Sequence, residues 1–247
     1  MDGQARKRCV VSFSGSFRSD SGRAHQRGQA CPDAGGCRVV ITIECLVDSS
    51  PVKARDQGNR PTCLAFAVTD LNRQYVTEDL GPEFFYQATI QRISGWQPGD
   101  GLQVPAAADA SRLGHPVESD FPYQPDEPAF PLVALPTSLS LHGHPINFFN
   151  VDVGQLTRNL QSGIPTGLAV ALTREFYQPV DGIIPYSAVV LPTSMIHAVV
   201  VVGLGHDSQG APWFYIRNSW GPAWGQDGHA WISAAYIVAH AACAFGV

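Results

Sequence analysis

The run His197-Ala198-Val199-Val200-Val201-Val202-Gly203 is apolar and rich in β-branched residues with no polar alternation, which predicts a buried strand. Trp213-Phe214-Tyr215-Ile216-Arg217-Asn218 predicts the next strand. The intervening Leu204-Gly205-His206-Asp207-Ser208-Gln209-Gly210 carries the Gly and Asp of a turn, so the two strands are expected to form a hairpin with Asn218 beside His197. Gly203-Leu204-Gly205 lacks the third glycine of a dinucleotide loop and is assigned to that same turn. Upstream, Leu64-Ala65-Phe66-Ala67-Val68 through Tyr75 is mostly apolar and free of Gly and Pro, which predicts a buried helix. Pro61 and Thr62 suit its start, because proline lacks an amide hydrogen that would go unpaired there. From about 51 to 129 the pattern is mainly helical, and from about 130 to 247 it reads as strands separated by turns. Arg38-Val39-Val40-Ile41-Thr42-Ile43, within 38–45, predicts one further strand that joins the second half. Residues 1–37 are rich in Gly, Ser and Arg without periodicity and are expected to be a disordered tail, leaving 38–247 as the folded domain.

A chain of 247 residues, 45% hydrophobic, is long enough to bury a large core in one or two lobes. Its net charge of −5 gives no reason to expect nucleic acid or an anionic membrane as partner. The charge is uneven: residues 1–38 hold seven of the 16 Lys/Arg and three of the 21 Asp/Glu, so the basic excess sits in the tail. No apolar run approaches the roughly 20 residues of a membrane span. The start, Met1-Asp2-Gly3-Gln4-Ala5-Arg6-Lys7-Arg8-Cys9, is not followed by a signal-peptide core, so the expected location is the cytoplasm, or export by a signal-independent route. Six cysteines at irregular spacing match no zinc pattern, and reduced thiols are expected. His142-Gly143-His144 has no nearby carboxylate or cysteine and is assigned to an exposed loop; neither metal nor cofactor is expected.

The chemistry concentrates elsewhere. Cys63 is placed in the first turn of the predicted helix, where the helix N-terminus and a nearby imidazolium both favour a thiolate. His197, fixed on a strand, has the side chain whose ordinary titration range suits holding that pair charged and then protonating a departing amine. An Asn218 amide oxygen accepting from one imidazole nitrogen leaves the other for sulfur. Gln57 supplies a side-chain amide donor that, with the Cys63 backbone N–H, can bind the oxyanion of acyl transfer. Trp220 is placed to cover the His197–Asn218 hydrogen bond. Gly101, lacking a side chain, permits close approach of a substrate backbone.

These residues carry a resemblance. Arg55-Asp56-Gln57-Gly58-Asn59-Arg60-Pro61-Thr62-Cys63-Leu64-Ala65-Phe66-Ala67 resembles the segment that opens the central helix of papain-like cysteine peptidases. Asn218-Ser219-Trp220-Gly221-Pro222-Ala223-Trp224-Gly225-Gln226-Asp227-Gly228-His229 is similar to the family's N-S-W-G-x-x-W-G-x-x-G segment. His197 and Asn218 follow Cys63 by 134 and 155 residues, near the family's spacing of about 130 to 150. Leu80-Gly81-Pro82-Glu83-Phe84-Phe85-Tyr86 resembles the second helix, and Asp100-Gly101 through Tyr123 the substrate-edge loop and helix that follow it. The resemblance implies an α+β, two-lobe fold, a helical lobe against an antiparallel β lobe with the cleft between them. It implies a cysteine endopeptidase with Cys63, His197, Asn218 and Gln57 in the machinery, substrate contacts at Gly101, Ile196, Ala198 and Trp220, and a protein or peptide substrate.

The departures also count. Arg60 stands where many members have a cysteine, so that disulfide is excluded, and Leu64 replaces an aromatic that shapes the leaving-group side of the cleft. Ile196 is bulkier than many residues before the histidine, and the chain resembles bacterial, disulfide-poor members most. No stretch looks like a helical propeptide, which leaves latency to a cognate inhibitor or immunity protein and suggests a delivered effector or toxin. Two rivals stay open: transpeptidation or deamidation through the same thioester, and a catalytically silent binding module.

Overall fold

The protein is described from a computed structural model, over residues 39–47, 53–128, 132, 134–191 and 196–247. The expected tail lies outside the described residues.

The chain enters through strand β1 (Thr42–Leu46) and crosses to three helices, α1 (Cys63–Asn72), α2 (Pro82–Ile90) and α3 (Val104–Ala110). It then builds β2 (Asn147–Phe149), α4 (Val153–Gln161), β3 (Thr166–Ala171), β4 (Ile183–Ile184), β5 (Ile196–His206), β6 (Pro212–Arg217), β7 (His229–Ser233), α5 (Ala234–His240) and β8 (Ala241–Gly246). The sheet runs β2-β8-β3-β5-β6-β7-β4, with β1 added on the free length of β5 beyond β3. Among the described residues every strand pairing is antiparallel except β4 with β7. The α+β, two-lobe arrangement is the expected one.

The reason is legible in α1 and β5. Every residue of α1 except Asp70 is buried, as befits a helix that is apolar all round. Along β5, Ala198, Val200 and Val202 pack into one core with α1, α2 and α3. Val199 and Val201 face the other way, into a second core with Leu156, Leu168, Phe176 and Phe214. Side chains alternate across a strand, so an unbroken apolar run buries both faces. A register shift between Val201 and Gly203 then turns Leu204 onto the second face. β5 is therefore the wall shared by both cores, and His197 stands at its start.

Three expectations need correction. The segment after 130 is not all strand and turn: α4 and α5 are helices. Asp152 caps α4 by accepting from the Gln155 N–H at 3.0 Å, and Leu156 and Leu160 bury one stripe, while Ser233 caps α5 through Tyr236 N–H. Gly203 and Gly205 are not a turn but lie inside β5, which continues to His206, and the turn begins at Asp207. A Cβ on Gly203 would lie 2.5 Å from Leu46 Cδ2, and one on Gly205 2.8 Å from the Thr42 carbonyl oxygen. Both glycines are there to let β1 lie close. The strand expected over 38–45 starts later, at Thr42, with Val39 and Val40 outside any strand and Arg38 outside the described residues.

Candidate active site

Two loops from opposite lobes are laced together. Gln57 N–H donates to Ser219 O at 2.8 Å and Gly221 N–H to Arg55 O at 3.0 Å, with Asp56 bridging Trp220 between them. This pins the segment before α1 to the segment after β6. Gln57 is clamped within it: its Oε1 accepts from Ser219 Oγ at 2.6 Å and its Nε2 donates to Arg60 O at 2.7 Å. An amide nitrogen has two hydrogens. With one on Arg60, the other has a fixed direction.

Asn218 Oδ1 accepts from the Ser219 backbone N–H at 2.8 Å and lies 2.6 Å from His197 Nε2. Two donors converging on one atom identify it as the oxygen, so Nε2 carries a proton and a neutral His197 has Nδ1 as its basic nitrogen. Trp220 lies over the imidazole with ring centroids 4.6 Å apart, and Phe176, Tyr177 and Trp224 surround the Trp220 ring. This aromatic wall keeps water from the His197–Asn218 bond.

Cys63 is the first residue of α1, and it shares a packed core with Ala198, the neighbour of His197. Tyr123 reaches across behind it: the phenol donates to Gln57 O at 2.8 Å and accepts from Thr62 Oγ1 at 2.9 Å. Burial pushes the Tyr123 hydroxyl up to about 12, so it stays a donor. Among the described residues, Cys45 and Cys243 are free. Cys9, Cys31 and Cys37 lie outside the described residues. Gln57, Cys63, His197 and Asn218 are each at most 3% exposed.

Arg60, which stands where many members of the resembled family have a cysteine, anchors the same loop by charge. Its guanidinium, 3% exposed, donates at 2.6 and 3.2 Å to the fully buried Glu83 carboxylate and also to Gln124 O. It lies 3.6 Å from Glu127 and over the rings of Tyr86 and Tyr123. Burial raises the Glu127 carboxyl, and the Tyr86 hydroxyl and Arg60 only partly offset this. A cavity of about 560 Å³ opens between Asn59-Arg60-Pro61 and the Gly99-Asp100 turn.

Of the expected substrate contacts, Trp220 belongs to the aromatic wall, Gly101 is buried beside the Gly99-Asp100 turn, Ile196 is partly buried, and Ala198 packs against the helical core. His144 is exposed and His142 partly buried, and their loop is tied down through the His142–His115 backbone pair and through His144 N–H to Asn72 Oδ1. No group of three metal-binding side chains occurs among the described residues. Sequence reasoning missed Tyr123, Phe176 and Tyr177. Their part depends on contacts between distant segments, and only the aromatic character of Phe176-Tyr177 hinted at it.

A helix that opens on a cysteine, packed against a strand that carries near its start a histidine hydrogen-bonded to the asparagine that follows the next strand, is an arrangement a thiol enzyme can use. Residues 115–244, more than half of the chain, match the papain family cysteine protease model, and the chain belongs to that family. The match begins after Gln57 and Cys63. It is 27% identical to cysteine proteinase 3 of Entamoeba histolytica over 71% of this chain and 58% of the relative, and 26% identical to a cathepsin L-like proteinase of Fasciola hepatica over 72% and 55%. The chain thus spans about half the length of the curated relatives it matches. Among solved structures it resembles xylellain, a cysteine protease from Xylella fastidiosa, at a TM-score of 0.63 and 19% identity, covering 87% of this chain and 93% of that one. It also resembles digestive procathepsin L 3 of Tenebrio molitor, at 0.67 and 20%, covering 86% and 71%.

Proposed function

We propose that the protein hydrolyses peptide bonds with Cys63 as nucleophile. The observation that carries this is the His197–Asn218 pair, which assigns the proton to Nε2 and makes Nδ1 the basic nitrogen of a ring whose strand packs against α1, the helix that opens at Cys63. The Cys63 thiolate attacks the substrate carbonyl carbon and its C=O electrons move to oxygen. The second Gln57 Nε2 hydrogen and the Cys63 backbone N–H hold that oxyanion. The intermediate collapses, the C–N bond breaks, and the amine leaves with the proton from His197 Nδ1. A water then gives a proton to His197 and its oxygen to the thioester, releasing the acid and restoring the thiolate with an imidazolium. Asn218 holds the ring throughout.

The test is kinetic. Reduced wild-type protein should cleave a protein substrate, and reduced Cys63→Ala should cleave nothing. Cleavage that survives in reduced Cys63→Ala overturns the assignment. Mass spectrometry of the products separates hydrolysis from deamidation or transpeptidation, since only hydrolysis gives two free fragments.

A further inference from the structure

Asp70, two helical turns below Cys63 on α1, receives three arginines. Arg55 Nη2 lies 3.2 Å and Arg73 Nη1 3.4 Å from its Oδ1, and Arg217 Nε lies 3.3 Å from its Oδ2. The carboxylate is 11% exposed and Arg217 is buried, so water screens these charges little. The cluster joins three segments of the site. Arg55 is two residues before Gln57, Arg217 immediately precedes Asn218, and Asp70 rides the helix that opens at Cys63. Arg55 also donates to Leu80 O at 2.8 Å and stacks on Phe66 of α1, and Arg217 donates to Lys53 O at 3.2 Å. Asp79 and Glu118 approach Arg55 at 3.8 and 3.9 Å, and Asp79 approaches Arg73 at 3.5 Å, but these carboxylates belong to the helical lobe's own loops.

We infer that Asp70 is a positioning residue, the shared counter-ion that holds the segments bearing Gln57, Cys63 and Asn218 in mutual register. The inference rests on the reading of those residues given above. Without this carboxylate, Arg55 and Arg217 face each other across the lobe boundary and repel. Arg217 is the last residue of β6 and leads directly into Asn218, so displacement of Arg217 is passed to Asn218. A shift of Asn218 loosens the hydrogen bond that favours the charged imidazole. Misplacement by about 1 Å commonly costs about a hundredfold in rate.

The experiment uses reduced full-length protein and its Asp70→Asn, Asp70→Glu and Asp70→Asn/Arg217→Met variants. Each is checked for folding by thermal melt and for intact sites by titration with a thiol-directed inhibitor. Per titrated site, Asp70→Asn should lose about ten- to a hundredfold in kcat with little change in KM. The alkaline limb of its pH profile should move to lower pH, because an imidazolium that has lost the Asn218 oxygen gives up its proton more readily. Asp70→Glu should recover part of the rate, and so should the double variant, which removes the orphaned cation. A folded Asp70→Asn protein with unchanged kcat and an unmoved alkaline limb overturns the inference, as does a loss that neither Asp70→Glu nor the double variant relieves. Failure of the thiol-protease reading would instead show as activity that ignores Cys63→Ala in the otherwise wild-type protein.

Discussion

Replacing Glu83 by Gln tests whether charge has taken over the anchoring of the loop before Cys63. Glu83 is fully buried and accepts from Arg60 at 2.6 and 3.2 Å, from Gln124 N–H at 3.2 Å and from Gln87 Nε2 at 2.8 Å. An amide of the same size loses the charge and turns one acceptor into a donor facing donors. Breaking a buried ion pair from one side costs about 3 to 5 kcal/mol, because the other charge is stranded. Arg60 keeps Gln124 O, Glu127 at 3.6 Å and two ring faces, so the lower end applies, about 3 kcal/mol. Urea unfolding followed by tryptophan fluorescence measures it. Arg60→Met/Glu83→Leu should lose less than Glu83→Gln, since neither charge remains to be stranded. A Glu83→Gln protein within about 1 kcal/mol of wild type, or a double variant as damaged as the single, refutes the reasoning. Activity is a second readout, because Arg60 O orients Gln57.

Three other outcomes are expected. His115 is wholly buried against Thr69 and Phe85, and burial holds its imidazole down to about 4, so the unfolded chain takes up a proton before the native one. Its contribution is complete above about 6.5 and is lost as pH falls towards 4, roughly 3 kcal/mol in all, and acid unfolding of His115→Gln should show a shallower decline over that window. Gly205→Ala forces a Cβ against the Thr42 carbonyl and should cost about 1 to 3 kcal/mol, with faster alkylation of Cys45 as β1 lifts from β5; wild-type stability would mean β1 yields freely. Gln57→Ala should lower kcat by about two to three orders of magnitude while leaving KM nearly unchanged, and an unchanged kcat would remove Gln57 from the oxyanion site.

The elements that carry the site were legible because their patterns are long or chemically marked. The α1 start needed only Pro61-Thr62 before an apolar run, and the β5–β6 hairpin followed from two β-branched and aromatic stretches around Asp207. α4 carried a signal, Asp152 with Gln155 and then Leu156 and Leu160, but its polar remainder and Gly154 weakened it. α5 is seven residues of Ala, Tyr, Ile, Val and His, and periodicity cannot separate so short an apolar run from a buried strand. Gly203-Leu204-Gly205 was unreadable for another reason. The cause is β1, 160 residues away along the chain, which crosses too closely for side chains. The same holds for Arg60–Glu83 and for the Asp70 cluster: Arg60 could be flagged as a departure, but its partner is set by how α2 packs.

The central claim, that Cys63 and His197 act as one charged pair, is tested most directly by the pH dependence of Cys63 alkylation in reduced wild-type and His197→Ala protein, with the modified peptide identified by mass spectrometry. Cys45 and Cys243 compete little in acid, since burial and Glu44 raise the first and burial pushes the second up to about 11. The account predicts that wild-type Cys63 reacts readily at about pH 5, whereas His197→Ala reacts appreciably only near pH 8.5, the range of an ordinary thiol. Superimposable profiles for the two proteins would contradict it.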